Sequence, residues 1–214
     1  MPQKFHVLAR LLPVVLVLAA GNADADSASG VSRTWVADQG DGTYKNPVLY
    51  ADYSDPDAVR VGRDYYMTAS SFNASPGLPI LHSRDLVNWE LIGHAYGAQP
   101  PVDLYSRPQH GSGSWAPAIR HHAGEYYIIY PDPGIGIYML KAKNPAGPWT
   151  EPLLIKAAKG WIDPAPFWDD DGKAYIVSAV SRSRSSMKST LVLSRMSADA
   201  TRMLDEGVMV YDGH

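Results

Sequence analysis

The sequence predicts an all-β protein of the β-propeller type, and three observations predict it. Short β-branched or aromatic runs, such as Val59-Arg60-Val61 and Glu125 to Tyr130, are closed by glycine turns, which is a strand signature. No window of the chain sustains a helical period. A strand-turn-strand pattern recurs three times, and repeats of this size mark propellers and other arrays.

The elements follow in chain order. Lys4 and Arg10 precede the apolar run Leu11 to Ala20, which is too short to span a bilayer. With Ala23-Asp24-Ala25 as a small-x-small cleavage site, residues 1–25 read as a secretory signal peptide and residues 26–45 as a linker. The first copy runs from Asp55-Pro56-Asp57-Ala58-Val59 through Gly62 to Asp64-Tyr65-Tyr66-Met67. Ala116-Pro117-Ala118-Ile119, Gly124 and Glu125-Tyr126-Tyr127-Ile128 make the second, and Asp163-Pro164-Ala165-Pro166-Phe167, Gly172 and Lys173-Ala174-Tyr175-Ile176 the third. Third strands are expected at Pro79 to Ser83, Gly136 to Lys141 and Ser189 to Arg195, with Trp89 and Trp149 closing the turns that follow the first two as packing residues. The shared prolines are 61 and 47 residues apart, close to the spacing of four-stranded blades. A β-sandwich also has short strands and glycine turns, but it gives no reason for one strand-start signature to recur. Residues 181–189 read as a solvated loop between two strands of the third copy. Three copies do not close a ring, so the chain is expected to be truncated at its C-terminal side.

Composition narrows the function. In 214 residues, 19 basic and 22 acidic side chains give a net charge of −3, which argues against binding nucleic acid by phosphate neutralisation. Hydrophobic residues make up 45% and charged ones 19%, the balance of a folded chain. The aromatics are 13 Tyr, 6 Trp and 3 Phe, rings that mostly carry a polar edge beside an apolar face and so suit wet grooves. With no cysteine there can be no disulfide, thiolate metal site or cysteine nucleophile. An exported chain of this kind belongs in a bacterial periplasm or the medium, with no membrane attachment after signal cleavage.

In a propeller the first strand of each blade lines the central channel, which would gather Asp55, Ala116 and Asp163 at its mouth. Each precedes a proline and is therefore expected to be extended, with its side chain held in one direction. Two carboxylates in a rigid, aromatic-rich pocket suit glycoside hydrolysis, where one group activates water and another donates a proton. Asp-Pro is also an ordinary strand-start dipeptide, and spacing alone leaves that reading open. His82, His94, His110, His121 and His122 show no metal-ligand spacing, and no metal site is expected from them.

The run Asn46-Pro47-Val48-Leu49-Tyr50-Ala51-Asp52-Tyr53-Ser54-Asp55-Pro56-Asp57, then Ser114-Trp115-Ala116-Pro117, then Trp161-Ile162-Asp163-Pro164 ahead of Asp169-Asp170-Asp171-Gly172, resembles glycoside hydrolase family 43 from residue 46 to residue 214. That family contains β-xylosidases, α-arabinofuranosidases and arabinanases. The resemblance implies a five-bladed propeller, of which about three blades lie in this chain, and an inverting mechanism on xylan- or arabinan-derived oligosaccharides or polysaccharides. It implies that Asp55 is the general base and that Asp163 tunes and orients the acid, a role suited to a like charge. It places the proton donor in a Glu-Gly-Pro sequence, which is absent from residues 1–214. Trp115 and Phe72 are candidate walls of the sugar subsite, and Arg184 a candidate partner for sugar hydroxyls. No cofactor is required, although some members hold calcium through a histidine of a later blade. The oligomeric state is left open. A non-catalytic carbohydrate-binding propeller is the alternative, favoured by the missing donor. A sialidase-type propeller is weaker, because Ser83 to Trp89 lacks the glycine and spacing of an Asp box.

Overall fold

The computed structural model describes residues 35–186 and 189–213. The signal-peptide reading lies outside the described residues. Among them are twelve strands in three four-stranded antiparallel sheets.

The first sheet is β1 (Asp57–Val61), β2 (Asp64–Thr68), β3 (Gly77–Ser83) and β4 (Glu90–Tyr96). A segment holding the single-turn helix α1 (Val102–Tyr105) leads to the second sheet. That sheet is β5 (Ala118–His122), β6 (Glu125–Asp132), β7 (Gly136–Ala142) and β8 (Leu153–Ala157). The third is β9 (Trp161–Trp168), β10 (Ala174–Val180), β11 (Thr190–Met196) and β12 (Val208–Asp212). Each sheet keeps its strands in sequence order, so each repeat folds as a meander, and the repeat-derived strands fall where expected. The helix was not foreseen: four residues are too few to show a 3.6-residue period.

The sheets stack in chain order, and β6 shows why. Its side chains alternate between two cores, and both of its faces are buried. Ile128 and Tyr130 pack with Leu78, Ile80 and Tyr96 of the first sheet. Tyr127 and Ile129 pack with Ala174, Ile176 and Met196 of the third. Fully burying an isoleucine side chain contributes about 1.5–3 kcal/mol, so this strand anchors the stack. The far face of the first sheet is covered by Val48, Leu49 and Tyr53, which lie on Met67, Leu81 and Trp89. On the third sheet, by contrast, Phe167, Val208 and Tyr211 remain exposed. Trp89 and Trp149 both pack against cores, as expected of structural rings. Residues 35–45, read from the sequence as linker, fold back through an Asp38–Tyr44 bridge, and Asp38 accepts a hydrogen bond from Asn88.

The three X-Pro pairs share one irregularity. Asp57 faces Thr68, yet the Ser70 amide donates to the Ser54 carbonyl, so Asp55-Pro56 together oppose Ala69 alone. Ala118 faces Ile129 and the Trp115 amide donates to Pro131, so Ala116-Pro117 oppose Tyr130. Ala165 faces Val177 and Ile162 faces Ala179, so Asp163-Pro164 oppose Ser178. Each is a β-bulge, which tolerates a proline because the extra residue need not join the ladder. The extended backbone expected of the residue before proline does not hold at the two aspartates. Asp55 has φ 50° and Asp163 φ 51°, whereas Ala116 is not among the positive-φ residues. Aspartate tolerates this region better than most residues, and the bulge supplies the constraint that holds it there.

Candidate active site

The two bulges aim Asp55 and Asp163 into a shared electrostatic environment. Both residues are exposed. Even so, loss of hydration beside the protein, and then the charge of Asp55, push the Asp163 carboxyl above the usual carboxylate range. Among the described residues, the Asp163 side chain receives no hydrogen bond that would offset this. Asp55 does: Ser70 Oγ donates to Asp55 Oδ2 at 2.8 Å. The pair therefore differs in support although its φ angles match.

The aromatic candidates are placed by one local pairing. Phe72 and Ser114 form an antiparallel bridge, with Phe72 N donating to Ser114 O at 2.8 Å and Ser114 N to Phe72 O at 3.0 Å. This ties the segment that follows β2 to the residue before Trp115. Gly113 makes the approach possible, because it has φ 101° and a Cβ there would lie 2.2 Å from the Phe72 carbonyl oxygen. Below the bridge, Tyr96 Oη and Ser114 Oγ lie 2.7 Å apart, and Ser71 Oγ is 2.8 Å from Ser114 Oγ. The Arg184 guanidinium of the β10–β11 loop stands over the Trp115 ring at 5.5 Å, and the Trp115 indole donates to Gly111 O at 2.7 Å. Arg184 and Trp115 are thus in contact, while Phe72 is joined to this region through the backbone of Ser114. A cleft of about 270 Å³ is lined by Tyr53, Ser54, Ser70, Phe72 and His94 among others; Asp55, Trp115, Asp163 and Arg184 are not part of its lining. The hollow under the N-terminal segment, bounded by Trp35, Tyr50 and Trp89, includes none of the predicted site residues.

Two supporting groups were missed by sequence reasoning. Ser70 is one, although comparing the repeats would have found it: the matching places hold Pro131 and Ala179, so a hydroxyl occurs only where the first copy needs one. The other is Asp132, 1% exposed, which accepts from Tyr105 Oη at 2.5 Å and from Gly134 N at 3.0 Å. Burial pushes its carboxyl up, against the pull of those donors and of Gln99. This contact pins the segment between β4 and β5, which carries Trp115, to the end of β6. No sequence pattern announces it, because Tyr105 lies in the segment between two sheets and Asp132 at the end of β6, 27 residues on. The third component of the Asp-Pro-Asp motif has a separate job. Asp57 Oδ2 accepts from Ile119 N at 2.8 Å and from the Arg120 guanidinium at 2.5 Å, joining β1 to β5.

Among the described residues, no three His, Asp or Glu side chains converge as a metal would require.

A family model for glycosyl hydrolases family 43 matches residues 44–214. A beta-xylosidase of Formosa agariphila is 36% identical over 93% of this chain and 37% of its own length. A non-reducing end alpha-L-arabinofuranosidase of Bacteroides ovatus is 39% identical over 64% of this chain and 26% of its own. Among solved structures, the GH43 protein BlXynB of Bacillus licheniformis superposes with a TM-score of 0.67 at 33% identity, covering 80% of this chain and 34% of that one. The chain spans about a third of the length of such relatives.

Proposed function

The chain belongs to glycosyl hydrolases family 43, and on that premise we propose that the protein is an exported glycosidase that cleaves xylan- or arabinan-derived oligosaccharides with inversion. The observation that carries this reading is the pair of bulge-mounted carboxylates, one hydrogen-bonded by Ser70 and the other raised by lost hydration and its neighbour's charge. The names of the relatives, a beta-xylosidase and an arabinofuranosidase, support the substrate class.

In the proposed mechanism Asp55 takes a proton from the water that attacks the anomeric carbon, which supplies about 10²–10⁴-fold in rate. The hydroxyl of Ser70 occupies one of its oxygens, which leaves Oδ1 for the water. Asp163 stands as the second carboxylate, whose negative field holds the proton donor protonated near neutral pH. No Glu-Gly-Pro occurs in residues 1–214, and none of these residues is assigned as the donor. Trp115 and Phe72 offer flat apolar surface to the C–H face of the sugar ring, and Arg184 its donors to hydroxyls. The step requires no cofactor. The three sheets are three blades of a five-bladed propeller, and the exposed face bearing Phe167 is where the next blade packs.

The test is turnover of aryl β-xylosides and aryl α-arabinofuranosides by the complete gene product and its Asp55→Asn variant. Loss of at least 100-fold in kcat with the fold retained supports the reading. Oligosaccharide binding without turnover by the wild type would instead establish a carbohydrate-binding propeller.

A further inference from the structure

We infer that Ser70 is a positioning residue for Asp55, an inference that rests on the base assignment above. The two aspartates offer an internal comparison. Both precede proline, both sit where two residues of one strand oppose one of the next, and their φ angles differ by a single degree. Neither φ nor the two-against-one opposition therefore distinguishes them. The residues across from the bulges do. Beside Asp55 the partner strand continues into Ser70, whose hydroxyl lies 2.8 Å from Oδ2. The equivalent place beside Asp163 holds Ala179, which has nothing to donate.

The serine is itself rigidly held. It is 8% exposed, and its amide donates to Ser54 O at 2.9 Å, across the bulge that carries Asp55. Its neighbour Ser71 accepts from Leu78 N at 2.9 Å and joins the Ser114 hydroxyl, while Phe72 enters the bridge to Ser114. The tripeptide Ser70-Ser71-Phe72 thus connects carboxylate, sheet interface and aromatic wall. A carboxylate on a short side chain still rotates about χ2, and one fixed hydroxyl removes that freedom. A base acts only when its free oxygen is within hydrogen-bond reach of the attacking water, so orientation affects the chemical step more than substrate binding.

The experiment measures kcat and KM for an aryl β-xyloside and an aryl α-arabinofuranoside with the complete gene product carrying Ser70→Ala, Ser70→Thr or Asp55→Asn. Thermal unfolding midpoints are recorded for each. Ser70→Ala is expected to lower kcat at least tenfold, leave KM within twofold and keep the wild-type midpoint. Threonine keeps the hydroxyl and is expected to restore kcat to within threefold. A Ser70→Ala variant within twofold of wild type in kcat, or one that changes KM instead, overturns the positioning role while Asp55→Asn remains inactive. A threonine variant that unfolds normally yet is as slow as alanine overturns it as well. An active Asp55→Asn, or a wild type that turns over neither substrate, removes the base assignment and this inference with it.

Discussion

Replacing Tyr105 by phenylalanine removes one oxygen and leaves the ring in place. That oxygen donates to Asp132 at 2.5 Å, and both residues are buried, at 8% and 1% exposure. A hydrogen bond to a charged partner contributes about 1.5–3 kcal/mol, and the deleted donor leaves a buried carboxylate short of one partner. Gly134 N and Gln99 remain, so the loss is expected at about 2 kcal/mol near pH 7. For a urea slope of about 2 kcal/mol/M, the midpoint falls by about 1 M with the slope unchanged. The pH dependence has a definite sign. Burial already holds the folded Asp132 pKa above its unfolded value, so the group favours the folded state below the unfolded pKa and loses that contribution as pH rises through the folded one. Removing the tyrosine donor raises the folded pKa further. The gap between wild type and variant is therefore widest at neutral pH and narrows in acid, as Asp132 protonates. Equilibrium urea unfolding at pH 7 and pH 4 checks both parts. A shift below about 0.5 kcal/mol at pH 7, or a gap that widens in acid, would refute the reasoning.

Three further outcomes are expected. Asp55→Asn removes the charge that helps hold Asp163 up, so the Asp163 carboxyl should titrate at lower pH in the variant; carboxyl ¹³C NMR reads this, and an unmoved midpoint refutes their coupling. Gly113→Ala places a Cβ 2.2 Å from the Phe72 carbonyl oxygen at φ 101°, and it should cost about 2–3 kcal/mol in thermal unfolding. Asp57→Ala unties β1 from β5. With both ion-pair side chains about a third exposed, the expected loss is about 1 kcal/mol and shrinks with added salt, as chemical unfolding at two ionic strengths would show.

The strands were legible because each repeat alternates or runs apolar at a period that matches its burial. In β6 the run Glu125 to Tyr130 was legible as a strand, and the structure shows that two cores meet on its two faces. Asp55 and Asp163 were legible as candidates from their shared Asp-Pro. Their local geometry was not. The preference of a pre-proline residue for extended backbone is a local rule, and the bulge that overrides it depends on how many residues the neighbouring strand contributes. The Phe72–Ser114 pairing was illegible for a similar reason. It joins positions 42 apart through a glycine whose need for φ 101° shows only when the carbonyl opposite it is placed.

The amino-acid sequence by itself determined the all-β class and the three-copy organisation, and it singled out Asp55 and Asp163 as candidates, because these depend on periodicity and on repeated short motifs. Only the tertiary structure decided what surrounds them: the Ser70 hydroxyl on Asp55, the charge of Asp55 felt at Asp163, Arg184 over Trp115, and Tyr105 on Asp132. These depend on distances between different strands and loops. Such distances are set by sheet packing and by single-residue bulges, which no local pattern in the chain encodes.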